Sequence, residues 1–102
     1  MFDAQGRAHV SELGWHKGQI FQRRPVQERR YGRVSVFDKD GRVLARWGSP
    51  AAEAPGSFAA PHGLAVDPRG DVYAAEVTRT FAVSRGHARE DCHTFQKLTL
   101  KA

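Results

Sequence analysis

Ala60-Pro-His-Gly-Leu-Ala-Val-Asp-Pro-Arg-Gly-Asp-Val-Tyr-Ala-Ala-Glu-Val77 reads as two short strands joined by a tight turn. Leu64 to Asp67 forms the first strand and Asp71 to Val77 the second. Between them, Asp67-Pro68-Arg69-Gly70 carries turn chemistry at every position. Proline pre-sets φ, the aspartate side chain caps the turn, and glycine accepts the left-handed backbone that closes it. The second strand alternates, with Val72 and Ala74 on one face and Tyr73, Ala75 and Val77 on the other. Antiparallel pairing about this turn sets His62 opposite Ala75 or, with one bulged residue, opposite Glu76. A histidine and a carboxylate therefore share the open end of the hairpin.

The same pattern recurs along the chain. Residues 2–13 repeat residues 66–77 at an offset of 64 positions: Phe2 falls on Val66, Asp3 on Asp67, Gly6 on Gly70, Ala8 on Val72, Glu12 on Glu76 and Leu13 on Val77. This copy is cut short at Met1. A third D-x-x-G turn, Asp38-Lys-Asp-Gly41, lies between the alternating segments Arg33–Phe37 and Arg42–Trp47. Residues 14–32 show no strand alternation, and Pro25 interrupts any helix, so a long basic loop is expected there. Residues 48–59 are a Gly/Pro/Ala/Ser-rich connector, residues 84–93 a polar loop, and Thr94 to Leu100 a closing strand. No helical period persists for ten residues, and the expected class is all-β.

The bulk composition sets limits on function. The 102 residues suffice for one domain at most, and 40% hydrophobic with 26% charged residues is ordinary globular usage. No apolar run approaches the ~20 residues of a spanning helix, and the start lacks secretory-signal organisation. The single cysteine, Cys92, allows no internal disulfide and favours a reducing, cytoplasmic setting. The formal net charge of +5 permits an anionic partner without requiring one. Arg23, Arg24, Arg29 and Arg30 read as a solvated face first and as an anion-binding patch second. No P-loop, G-x-G-x-x-G or Ser/His/Asp order is present.

Hairpins in series, each closed by the same turn, follow the logic of a β-propeller, whose four-stranded antiparallel blades bury their faces on one another. Phe58-x-x-Pro61-x-Gly63-Leu-Ala-Val-Asp67-x-x-Gly70-Asp-Val-Tyr73 resembles the NHL repeat. Arg33-Val-Ser-Val-Phe37, with Gly41, Leu44, Trp47 and Gly48, resembles that repeat's outer half. The resemblance covers residues 33–77 well and 2–13 weakly. It implies about two blades of a six-bladed propeller: residues 1–48 an incomplete blade carrying the basic loop at 14–32, and residues 49–102 a last blade lacking its fourth strand. The chain then reads as a C-terminal fragment of a longer protein. Its partners would be the remaining blades or further copies of itself.

The Pro61-His62 pair and the closing strand His93–Leu100 are also similar to the last blade of the lyase domain of peptidylglycine α-amidating enzymes. That likeness makes His62 one of three zinc ligands. Ala60 stands where that family has methionine, and the other two ligands would lie on blades outside this chain. A turn histidine capping the strand is the simpler reading. Glu12, Glu76 and Thr78, at the strand ends, are candidates for the channel face. The two glutamates read first as hydrogen-bond acceptors for backbone N–H groups between blades and second as channel-facing ligands or bases. Cys92-His93 has no second pair to complete a metal site. Three functions follow: a non-catalytic propeller portion binding a small ligand or protein at the channel face, part of a zinc lyase acting on a carbinolamide-like substrate, or a nucleic-acid binder using its basic face.

Overall fold

The computed structural model describes residues 1–18, 20–21, 23–25 and 27–99. The described elements are, in chain order, β1 (Ala8–Glu12), β2 (Ile20–Phe21), β3 (Arg24–Pro25), β4 (Arg33–Phe37), β5 (Val43–Trp47), β6 (Pro61–Val66), β7 (Val72–Glu76), the single helical turn α1 (Thr78–Phe81), a 3-10 turn at Val83–Arg85, and β8 (Phe95–Leu98). Two antiparallel three-stranded sheets, ordered β1-β4-β5 and β6-β7-β8, carry the architecture. The chain is thus mostly β with almost no helix. Each sheet has three strands, not the four of a complete blade. Ahead of β1 there is one bridge, Phe2 to Ala8, in place of a paired strand.

The three D-x-x-G turns are one structure repeated. Each aspartate carbonyl accepts from the turn glycine N–H, at 3.1 Å for Gly6, 3.0 Å for Gly41 and 2.9 Å for Gly70. Each aspartate Oδ1 accepts two further N–H groups at 2.9–3.0 Å, from Gln5 and Arg7, Asp40 and Arg42, and Arg69 and Asp71. The glycines have φ of +77°, +83° and +90°, a region that only glycine enters without a Cβ penalty.

The 64-residue offset extends beyond the turns. The spare oxygen of Asp3 lies 3.0 Å from His9 Nε2, while that of Asp67 accepts from the Tyr73 hydroxyl at 3.1 Å. Strand registers match as well. Ala8, His9, Val10 and Ser11 face Phe37, Val36, Ser35 and Val34, just as Val72, Tyr73, Ala74 and Ala75 face Leu98, Lys97, Gln96 and Phe95.

The core lies between the two sheets. Val34 from the first sheet meets Val72, Ala74 and Leu98 from the second, with Phe58 of the connector between them and Trp47, Leu64 and Val66 at the margin. Val34, Val36, Val72 and Ala74 are each 0% exposed. Burial follows the alternation read from the sequence: Val72 and Ala74 are covered, while Ala75 on the other face is exposed. A Ser11 Oγ bond to the His62 carbonyl, 3.0 Å long, stitches β1 to β6.

Two local readings are corrected. Residues 14–32 are not one long loop, because they hold the β2-β3 ladder and a Trp15–Arg30 bridge. Residues 84–93 are not wholly irregular, since the 3-10 turn Val83–Arg85 enters them. The expected closing strand is β8, and its proposed end at Leu100 lies outside the described residues.

The turn aspartates give the fold an acid limit. Burial pushes the Asp3 carboxyl up, but hydrogen bonds from His9, Arg7 and Gln5 outweigh it and hold the group well below the usual carboxylate range. Asp67 is lowered in the same way, with bonds from Asp71, Tyr73 and Arg69 overcoming burial. A depressed folded-state pKa contributes stability that is present above the unfolded value, roughly 3.9, and lost as pH falls through the folded one. Urea denaturation between pH 2 and 7 should therefore show no loss from these groups down to about pH 5, then a decline. Asp3→Asn should be less stable at neutral pH and show a shallower acid slope.

Candidate functional site

Two places gather polar side chains at the end of the sheets where β1 ends and β6 begins. The first is built on Glu76, the last residue of β7. Its side chain has no exposure. Oε1 accepts from the backbone N–H of Ala59 at 2.8 Å and of Ala60 at 3.3 Å. Oε2 lies 2.6 Å from His93 Nδ1 and 3.4 Å from Gln96 Nε2. Thr78, 1% exposed, donates from Oγ1 to the His93 carbonyl at 2.9 Å. These groups tie the connector to β8, and both the Glu76 and Thr78 side chains are turned inward. Buried Cys92 sits nearby. Burial raises its thiol pKa, with the Glu76, Glu53 and Asp91 charges adding to the effect, so it is no ready nucleophile.

His62 lies apart from Glu76. The β6-β7 register slips between Pro61 and Gly63, pairing Pro61 with Glu76 and leaving His62 as the bulged residue. Its side chain is exposed. A bulge re-aims one residue out of the ladder, and here it parts the histidine from the buried carboxylate. Among the described residues, no group of three His, Cys, Asp or Glu side chains is arranged to hold a metal ion.

The second place is a cleft of about 490 Å³ lined by Glu12, Leu13, Gly14, Trp15, Glu28, Arg29, Arg30, Tyr31 and Arg33. Its walls are set by the Trp15–Arg30 bridge, whose N–H···O bonds are 2.6 and 2.7 Å long. Gly14, at φ +81°, makes that approach possible. A Cβ there would stand 2.6 Å from Gly32 N and 2.7 Å from Arg30 O. Glu12, the counterpart of Glu76, instead forms a two-point ion pair with Arg33 across β1-β4. Arg29 donates to the Pro50 carbonyl at 2.8 Å. In a smaller adjoining pocket that shares Trp15, Arg29 and Arg30 with the cleft, His16 and His87 stack with centroids 3.6 Å apart and planes 6° from parallel. Burial, then the neighbouring His87, Arg29 and Arg85 charges, push the His16 pKa down.

The four arginines read as one patch divide into two pairs. Arg29 and Arg30 line the cleft, while Arg23 and Arg24 lie exposed at the β2-β3 turn and do not line it. Arg33, Trp15 and Tyr31 also line the cleft and are not among the site candidates read from the sequence. The signal for Arg33 was its register opposite Glu12.

Comparison with protein-family models, curated proteins and solved structures returns no match to the chain. No helix among the described residues is long and apolar enough to cross a membrane.

Proposed function

We propose that the chain is a non-catalytic portion of an NHL-type β-propeller, about two blades, and that it binds an anionic ligand or partner segment in the cleft at Trp15, Arg29, Arg30 and Tyr31. One observation carries the blade reading: two sheets with the same turns, the same register and the same aspartate anchor pack face to face. The binding reading draws on the cleft's make-up. Arg29, Arg30 and Arg33 outnumber Glu12 and Glu28, and two aromatic rings stand beside them. Guanidinium forks suit carboxylate and phosphate groups, and aromatic faces add a stacking surface. Glu12, a channel-face candidate, lines this same cleft. A zinc-dependent lyase would need ligands from outside this chain, because a catalytic zinc takes three protein ligands and the resemblance carries over His62 alone.

Trp15 is a built-in reporter for the test. Titration with a short single-stranded RNA and, separately, with inorganic pyrophosphate should change its fluorescence saturably and weaken as salt rises. Arg30→Ala should lose most of the response. A response from RNA alone identifies nucleic acid as the ligand; none from either probe, at low salt, overturns the anion reading.

A further inference from the structure

We propose that a second copy of this chain docks head to tail on the first, with the outer face of its β6-β7-β8 sheet covering the outer face of the β1-β4-β5 sheet. The inference deepens the blade reading above and rests on it.

The argument comes from register. Inside the chain, the face of the first sheet that bears His9 and Val34 covers the face of the second that bears Val72, Ala74 and Leu98. In the second sheet, the counterparts of His9 and Val34 are Tyr73 and Phe95, and they lie on its outer face. In the first sheet, the counterparts of Val72, Ala74 and Leu98 are Ala8, Val10 and Phe37, on its outer face. Each outer face therefore repeats a face that is already packed in the same molecule. The burial values match this. Val34 is 0% exposed and its counterpart Phe95 is 61% exposed; Ala74 is 0% exposed and its counterpart Val10 is 40% exposed. Setting Phe95 of one copy among Ala8, Val10 and Phe37 of the next would reproduce the internal contact of Val34 and remove both apolar surfaces from water.

Lys97 does not oppose the docking. Its ammonium is 3.3 Å from Asp71 and 5.7 Å from the Tyr73 ring centroid, so it brings a neutralised charge to the face. The two docking faces differ from each other, which makes the contact heterologous: it extends from copy to copy or closes as a ring, and does not stop at a symmetric dimer.

A complementation experiment tests this on the full chain. Phe95→Asp spoils one face and Val10→Asp the other, and both positions are exposed enough for the fold to tolerate the change. Circular dichroism checks that it does, with Ala75→Arg and Val43→Asp as replacements for a variant that fails. By light scattering, the wild-type chain should run above monomer mass, each variant alone as monomer, and an equimolar mixture of the two as a one-to-one dimer. A monomeric wild-type chain at high micromolar concentration overturns the proposal. So does a mixture that stays monomeric. Either failure leaves the packing of Val34 on Val72, Ala74 and Leu98 within one chain unaffected, and that packing is read separately by cross-peaks between these residues, so the docking and the blade reading fall separately.

Discussion

Glu76→Ala should destabilise the protein by about 2–5 kcal/mol, because it strips the acceptor from several covered hydrogen-bond donors at once. The carboxylate is fully covered and accepts from four donors: two backbone N–H groups, His93 and Gln96. Alanine would leave the N–H groups of Ala59 and Ala60 without this acceptor, and Ala60 is only 1% exposed. An orphaned buried donor costs the full desolvation penalty, ~1–3 kcal/mol each. Single domains have only about 5–15 kcal/mol in total, so the midpoint in urea should fall sharply. Glu76→Gln keeps one oxygen for Ala59 and Ala60 and should cost roughly half as much. Equal losses for Ala and Gln would mean that the charge, not the acceptor, holds the connector. No loss for either would place Glu76 outside the core.

Phe58→Ala should cost about as much, ~3–5 kcal/mol, by a different route. Phe58 is 1% exposed, bridges to Gly32 and lies in the cluster that joins the two sheets. Its removal takes away buried apolar area and leaves a cavity that the flanking strands fill only in part. Because Phe58 comes from the connector, the damage should fall on sheet-to-sheet packing, not on either hairpin. Amide exchange should quicken in β4 and β7 together. Faster exchange confined to residues 49–60 would show that the connector hangs loosely and the sheets meet without it.

The hairpins were legible because their signals are local. Asp-x-x-Gly followed by alternation fixes both turn and strand, and it does so at Gly6, Gly41 and Gly70. The β2-β3 ladder escaped because each of its strands has two residues, too few to display a period. α1 is four residues long, one turn, and leaves no helical pattern. The cleft was half legible. Arg29 and Arg30 were singled out as basic residues, but their grouping with Trp15 depends on a bridge across fifteen positions that no local pattern encodes. The bulge at His62 decided where the histidine points. The hairpin arithmetic set His62 opposite Ala75 or Glu76, and neither pairing holds: Pro61 faces Glu76, Gly63 faces Ala75, and His62 is itself the extra residue.

The packing of one sheet on the other, with the first sheet's Val34 face against the second sheet's Val72 face, can be observed directly by methyl nuclear Overhauser spectroscopy of the intact chain. Cross-peaks should link Val34 and Trp47 of the first sheet to Val72, Ala74, Leu98, Leu64 or Val66 of the second. Cross-peaks from Val34 to its own sheet alone, with none to the β6-β7-β8 residues, would contradict the arrangement.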